Sequence, residues 1–191
     1  MTIKLLKEIR RCTACAEFLP HSPRPVLNFS TQSRIVIIGQ APGIKVHNSG
    51  VPWDDASGLR LRKWLNVSVD EFYDPNNFAI VPMGFCFPGN DGKSDRPPRP
   101  ECAELWMSKI LSRLKNKKLT LLVGQYSQKY FLDKTKKKTL TESVKSYQDY
   151  LPDYFVLPHP SPRNNIWLKK NPWFEKNNVV DLQKRIRLLL D

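Results

Sequence analysis

The sequence lacks long apolar runs. No segment reaches the roughly 18 consecutive apolar residues of a membrane-spanning helix, and no apolar signal-peptide core occurs in the N-terminal residues MTIKLLKEIRR. Acidic residues are also few, since 18 Asp and Glu accompany 31 Lys and Arg and the formal net charge is +13. We therefore expect a cytoplasmic monomer with no membrane contact that attracts polyanions, nucleic acid first among them, although a basic surface that only confers solubility is the alternative.

Cysteine is scarce too, and the four that occur form two pairs. The first is Cys12 and Cys15 in a Cys-x-x-Cys motif, and the second is Cys86 and Cys102. Cytosolic proteins keep few disulfides, so these cysteines suit either a structural four-thiolate metal site or burial as isolated thiols. The spacing is compatible with zinc and with an iron–sulfur cluster.

Short apolar runs alternate with helical patterns along the 191 residues. This length fits a single domain, residues 1–191, with its own core. The alternation predicts an α/β fold with a mostly parallel sheet and helices on both faces. The predicted strands are Ile35–Ile38, Phe78–Met83, Leu119–Val123 and Tyr154–Leu157, and the predicted helices are Ile3–Arg10, Glu101–Leu114, Tyr126–Leu132 and Asn178–Leu190.

The first predicted strand ends abruptly in the motif Gly39-Gln40-Ala41-Pro42-Gly43, and a loop with His47 follows. Open α/β sheets place ligands where a buried strand opens into such a loop, although an ordinary turn also explains the glycines. In the same loop, Trp53 suits stacking on a flat ligand or a place in the core, and Asp54 and Asp55 suit activation of water or helix capping. The next helix is expected to have Ser57 as its N-cap and an apolar face of Leu59, Leu61, Trp64 and Leu65.

The fourth predicted strand ends in Pro158-His159-Pro160-Ser161-Pro162-Arg163. In a parallel sheet its end lies at the same edge as Gln40, so both segments are expected to face one cleft. The flanking prolines hold His159 on a stiff loop, which suits a preorganised hydrogen-bond donor; a satisfied core histidine is the alternative. Ser161 and Arg163 suit contacts with phosphate.

Taken together, these motifs resemble the uracil-DNA glycosylase superfamily. The resemblance rests on Gly39–Gly43 and on His159–Pro162, and the four cysteines are similar to those of its iron–sulfur family-4 and family-5 branches. Residues 50–53 (GVPW) resemble the Gly-x-Pro-Phe motif of those branches, and residues 87–90 (FPGN) resemble their Pro-Pro-Gly-Asn. The resemblance implies a three-layer α/β/α sandwich with a central four-stranded parallel sheet. It also implies a [4Fe-4S] cluster, with structural zinc as the alternative, on Cys12, Cys15, Cys86 and Cys102.

The implied function is that of a DNA repair glycosylase, which flips a deaminated base (uracil or a related one) out of DNA and hydrolyses its N-glycosidic bond. His159 would donate a hydrogen bond to O2 of the departing base, and Gln40 would hold the attacking water. The remaining substrate-binding residues would be Gly39, Ala41, Pro42, Gly43, His47, Trp53, Met83 and Asn90, and the DNA-binding residues would be Ser161, Arg163 and Asn164.

Two positions depart from the family-4 pattern. Gln40 stands where that family has an acidic residue, and because an amide is not a general base, we assign this role to Asp54, Asp55 or His47. Pro82-Met83 stands near the position of the asparagine that reads the edge of uracil. The alternative function is therefore a nucleic-acid-binding protein that keeps the fold and the four-cysteine site while its catalysis is lost or redirected.

Overall fold

The computed structural model of the protein describes residues 2–191. Within these residues, four parallel strands form one sheet in the order β2-β1-β3-β4. Ile35 of the central strand β1 lies opposite both Phe78 and Leu119, so the three strands start in register. The sheet confirms the predicted fold class. Its strands are β1 Ile35–Ile38, β2 Phe78–Ile80, β3 Leu119–Val123 and β4 Tyr154–Leu157.

Helices precede, connect and follow the strands. Parallel crossovers are right-handed, so the connection from β1 to β2 and the connections that run the other way across the sheet cover opposite faces. The result is the predicted three-layer sandwich. The helices are α1 Thr2–Arg10, α2 Ile44–Ser49, α3 Ala56–Leu65, α4 Val69–Tyr73, α5 Pro100–Cys102, α6 Ser108–Leu111, α7 Gln125–Leu132, α8 Leu140–Lys145, α9 Asn165–Lys170 and α10 Val179–Leu190.

The core lies on both faces of the sheet. All residues of β1 and β3 are buried, which explains why these strands are continuous apolar runs without alternation. On one face α3 packs against α10 and the π-helical turn before it, and the rings of Trp64 and Phe174 meet edge to face with their centroids 5.0 Å apart. On the outer edge of the sheet, Asn28 pairs with Ile80 in an antiparallel bridge, so the proline-rich segment before β1 covers the edge of β2.

Two boundaries around the first crossover differ from the predictions. Strand β2 ends at Ile80 instead of Met83, although the N–H groups of Val81 and Met83 still donate to the carbonyl oxygens of Ile37 and Gly39. Helix α3 begins at Ala56, one residue before the predicted N-cap, because Asp55 caps it by accepting a hydrogen bond from the Gly58 N–H at 2.8 Å. The predicted apolar face of α3 is also wrong at one position: the side chain of Leu59 is 66% exposed.

The helix predicted at 101–114 begins at Pro100 and ends at Leu111, with a π-helical segment between α5 and α6. Proline is favoured at the first helical position because its missing N–H has no partner there. The predictions omitted α2, α4, α8 and α9, which have five or six residues each and are too short to show a helical period. No helix in residues 2–191 is both long and apolar enough to span a bilayer.

Candidate functional site

A cavity of about 450 Å³ opens at the carboxyl edge of the sheet. It lies beside the ends of β1 and β3, where the direction of the strand order reverses and where doubly wound sheets bind ligands. The structure brings most of the predicted site residues together around this cavity. They are Gly39–Gly43, Trp53, Asp55, His159, Ser161, Arg163 and Asn164.

Trp53 forms one wall of the cavity. A Cβ atom added to Gly39 would lie 2.8 Å from Cζ2 of the indole, so the ring packs directly on the glycine that ends β1. The Trp53 backbone has a φ of +57°, a left-handed conformation that is costly for a bulky residue. It is accommodated by Gly58, at which an added Cβ would lie 1.7 Å from the Trp53 carbonyl oxygen. The absence of a side chain at Gly39 leaves room for the indole, and its absence at Gly58 leaves room for the Trp53 carbonyl group.

His159 also lines the cavity and lies beside Trp53, with the ring centroids 5.7 Å apart and the planes inclined by 31°. Its Nδ1 accepts a hydrogen bond from the backbone N–H of Ser161 at 3.2 Å. Its carbonyl oxygen accepts a hydrogen bond from Nδ2 of Asn164 at 2.7 Å. Gly124, at the end of β3, packs against the His159 side chain. Ser161 therefore fixes the orientation of the imidazole, and Asn164 fixes the backbone that carries it.

Burial lowers the pKa of His159 to about 4, although the nearby Asp55 carboxylate opposes this shift. The ring is thus neutral at pH 7. Because Nδ1 accepts from the Ser161 amide, the single ring proton is assigned to Nε2. A neutral imidazole in this tautomer can donate one hydrogen bond from Nε2 without carrying a charge into the cavity.

Arg60 on α3 fixes the loop that carries His159. Its Nη1 donates to the Ser161 carbonyl oxygen at 3.1 Å, and its Nη2 donates to Oδ1 of Asn165 at 2.8 Å. Sequence reasoning missed this residue because the contact joins positions about 100 residues apart. Helix α3 is therefore tied to the loop after β4.

Two carboxylates line the cavity. Asp55 was predicted, and its Oδ1 is occupied as the N-cap acceptor of α3. Asp95 was not predicted; burial and the Asp55 charge raise the pKa of its carboxyl group, and the Arg163 guanidinium opposes the shift. Sequence reasoning also missed Gln125 and Tyr126, which follow β3 and reach the cavity because β3 lies beside β1.

Four predicted site residues do not reach the cavity. His47 lies in α2, where its ring stacks on His21 at 5.2 Å and its Nδ1 is buried without a hydrogen-bond partner in residues 2–191. Met83 is buried beside the end of β1, where its N–H donates to the Gly39 carbonyl oxygen. These predicted catalytic and substrate-binding residues are not part of the cavity lining. The four residues are His47, Asp54, Met83 and Asn90.

The four cysteines form a second group, away from the cavity lining. None is in a disulfide, and Cys15, Cys86 and Cys102 are buried. Burial, with a smaller contribution from the neighbouring cysteines, raises the pKa of Cys86 to about 11 and that of Cys102 to about 12. Cys12 and Cys15 contribute electrostatically to the raised pKa of both thiols, so the structure brings the two pairs close to one another.

Two further observations describe the cysteine group. The Sγ of Cys102 accepts a hydrogen bond from the backbone N–H of Phe85 at 3.4 Å. In residues 2–191, no three His, Cys, Asp or Glu side chains stand at the spacing of a site for one metal ion. The donor set is nonetheless four thiols in one neighbourhood, a composition that suits an iron–sulfur cluster or zinc and excludes hard cations such as Mg²⁺ and Ca²⁺.

Comparison with known proteins identifies the family. The model of the uracil DNA glycosylase superfamily matches residues 27–183, which include every residue that lines the cavity except Val26. The chain belongs to the uracil DNA glycosylase superfamily. It is also similar to a type-4 uracil-DNA glycosylase of Thermotoga maritima, with 27% identity over 186 residues that cover 93% of this chain and 89% of the relative.

Membership in the superfamily confirms the resemblance that the sequence motifs indicated. The matched span contains both motif segments, Gly39–Gly43 and His159–Pro162, and the second cysteine pair. The first pair, Cys12 and Cys15, lies before residue 27 and outside that match. The match to the family model therefore does not depend on the first cysteine pair.

Proposed function

We propose that this superfamily member is a DNA glycosylase that flips a deaminated base, uracil or a related one, into the cavity and hydrolyses its N-glycosidic bond. The observation that carries the proposal is His159, a neutral imidazole held by its own loop with the Nε2 proton available to the cavity. A flipped base is required because the glycosidic bond cannot be reached inside the base stack. A cavity of about 450 Å³ is large enough for one nucleobase.

His159 stabilises the leaving group in this proposal. When the C–N bond breaks, the electron pair stays on the base, and negative charge develops on its oxygen atoms. A hydrogen bond from Nε2 to the base O2 strengthens as this charge grows. Preorganised donors of this kind contribute about 3–4 kcal/mol to transition-state stabilisation. The Ser161 N–H holds the imidazole and Asn164 Nδ2 holds the His159 backbone, so the ring needs little reorganisation during the reaction.

Trp53 positions the base. Its indole stands against Gly39 and is inclined toward His159, so a flat ligand that stacks on the ring has its edge near the imidazole. Aromatic stacking of a base contributes about 1–3 kcal/mol and tolerates different bases. Gln40 also lines the cavity, and its side-chain amide can hold a water molecule there without taking a proton from it.

The loop after β4 and the charge of the chain hold DNA in this proposal. Arg163 and Ser161 stand at the cavity and suit contacts with the phosphates on either side of the flipped nucleotide. Asn164 stands in the same loop. The net charge of +13 supplies a long-range attraction for the duplex that weakens as salt is added.

We also propose that Cys12, Cys15, Cys86 and Cys102 hold a [4Fe-4S] cluster. Support comes from four unpaired thiols in one neighbourhood, three of them buried, with no oxygen or nitrogen ligand needed to complete the set. The cluster would supply a structural cross-link between the segment before β1 and the loop after β2. The alternative with structural zinc uses the same thiols.

The test is glycosylase activity on oligonucleotides that carry uracil, hypoxanthine or xanthine, read by alkaline cleavage of the abasic product. We expect cleavage of at least one substrate, and we expect His159→Ala to lower the single-turnover rate about 10²–10³-fold because a donor to the developing charge is lost. His21→Ala is the matched control, since His21 is an exposed imidazole that does not line the cavity.

Salt-dependent DNA binding without cleavage of any of the three substrates would instead favour the alternative, a nucleic-acid-binding member of the superfamily that has lost or redirected the catalysis. Equal rates for His159→Ala and the wild type would contradict the role assigned to the imidazole.

A further inference from the structure

Asp95 stands at the cavity at the base of a small hairpin in the loop after β2. Asn90 and Asp95 pair in an antiparallel bridge, and the Arg96 N–H donates to the Gly89 carbonyl oxygen at 2.8 Å. Asp91 closes the tip, where its Oδ1 accepts from the backbone N–H groups of Lys93 and Ser94. The loop therefore has a defined shape that brings the Asp95 side chain to the cavity.

The Asp95 carboxylate faces the residues that end β1 and β4. Its Oδ2 lies beside Gly43, since a Cβ added there would be 3.4 Å from that oxygen. The Arg163 guanidinium and the Asp55 carboxylate, which also line the cavity, act on it electrostatically. Among residues 2–191, no group donates a hydrogen bond to its side chain, so both oxygens are available to a ligand or a water molecule.

The other candidates for a catalytic carboxylate are less suitable. Asp54 does not line the cavity, and His47 is in α2 beside His21. Asp55 lines the cavity, but one of its oxygens is used by the Gly58 N–H to cap α3. Gln40 is an amide and cannot take a proton. Asp95 therefore has the carboxylate in the cavity lining of which neither oxygen accepts a hydrogen bond within residues 2–191.

We propose that Asp95 is a catalytic residue that accepts a hydrogen bond from the attacking water and stabilises the cationic sugar. This role rests on the proposed glycosylase function. As the C–N bond breaks, its electron pair leaves with the base and is stabilised by Nε2–H of His159. A bond forms between the water oxygen and the sugar carbon, and the water proton passes to the Asp95 carboxylate and from there to solvent. The products are the base anion, which takes a proton from solvent, and an abasic site.

The experiment compares Asp95→Asn and Asp95→Ala with the wild type in two separate measurements. These are the single-turnover rate on the oligonucleotide that the wild type cleaves best and the Kd for the same DNA. We expect both variants to lower the rate about 100-fold or more, as for other positioned bases, while the Kd stays the same or falls because a negative charge beside Arg163 is removed. The matched control is Asp91→Asn, which removes the same charge from the same loop and keeps the oxygen that closes the tip.

Each outcome decides the role of Asp95. A rate within about threefold of the wild type for both variants, with unchanged melting temperatures, would overturn it and leave the glycosylase function intact. A lower Kd with an unchanged rate would mean that Asp95 only repels DNA, which also overturns the role. A wild type that cleaves none of the substrates would overturn the proposed function, and with it this role. An equal loss of rate in Asp91→Asn would assign the effect to the charge of the loop instead of to Asp95.

Discussion

The cavity and the cysteine group both bury ionisable side chains, and burial favours the neutral form in both places. In the cavity it lowers the pKa of His159 to about 4, and in the cysteine group it raises the pKa of Cys102 to about 12. The direction differs only because one group ionises by gaining a proton and the other by losing one.

The consequences for chemistry are opposite. Neutral imidazole is the form that donates from Nε2 while Nδ1 accepts from Ser161, so burial favours the form that the proposed role of His159 requires. A neutral thiol, by contrast, does not bind metal, because the thiolate is the ligand. The neutral form of His159 follows from burial alone, whereas the thiolate form of the cysteine group would need the proposed metal to stabilise its charge. The comparison leads to four predictions.

The largest effect is expected from the cysteine group. We expect the wild type to be brown with iron bound, and Cys102→Ser to lose the iron and to lower the free energy of unfolding by more than about 3 kcal/mol, because metal binding contributes directly to folding. Iron analysis, visible absorbance and urea unfolding measure this. Cys12→Ser tests the same ligand set at a less buried position. A colourless wild type with one zinc would replace the cluster with zinc, and a metal-free protein of unchanged stability would contradict the metal site.

The second prediction concerns the pH dependence of stability at His159. The imidazole has a pKa of about 4 in the folded chain against 6.5 as its ordinary value, so the unfolded chain binds more protons between these pH values. Its contribution to stability is therefore present above pH 6.5 and is lost as the pH falls toward 4, by at most about 3 kcal/mol. Urea unfolding of the wild type and His159→Asn from pH 4 to 7 checks this. Parallel pH profiles for the two proteins would show that His159 is not buried in its neutral form.

A smaller effect is expected at Asn164, whose Nδ2 donates to the His159 carbonyl oxygen at 2.7 Å. Asn164→Ala should lower the free energy of unfolding by about 1 kcal/mol and reduce the glycosylase rate severalfold, since the loop that holds the imidazole loosens. Asn48→Ala is a suitable control, because Asn48 is an exposed asparagine outside the cavity. If the two variants lose equal amounts of activity, the hydrogen bond does not position His159.

The smallest change is expected for Arg163→Ala, measured as the dependence of DNA affinity on salt. Loss of one phosphate contact should lower the slope of log K against log salt by about 0.9 and weaken binding alike for all sequences. Lys145→Ala is the charge-matched control, because Lys145 ends α8 in the connection that leads back to the amino end of β4. A slope that does not change for Arg163→Ala, or that changes equally for both variants, would remove Arg163 from the DNA surface.

The cavity was predicted in part because its main segments are local in sequence. A strand that ends in Gly39–Gly43 and another that ends at His159 must lie at the same edge if both strands are parallel, and their order in the chain makes parallel pairing the expected arrangement. Asp95, Arg60 and Gln125 were missed for the opposite reason. Each reaches the site through contacts that depend on a loop shape or on which strands are neighbours.

His47 is the opposite case, a residue that was predicted at the site and does not line the cavity. Its place in the chain, a few residues after Gly43, suggested a ligand contact, yet α2 turns the imidazole toward His21 and Phe87. Helix α2 has only six residues, which is too short for a periodic apolar pattern to predict it from the sequence.

The amino-acid sequence by itself determined the parallel α/β sheet, the two motif segments at its carboxyl edge and the superfamily, because strands and their terminal turns are specified by neighbouring residues. Only the tertiary structure decided which side chains share the cavity with His159. The sheet order places β1 beside β3, Arg60 ties α3 to the loop after β4, and a hairpin brings Asp95 to Gly43. These contacts join residues far apart in the chain, and their geometry depends on how the layers pack.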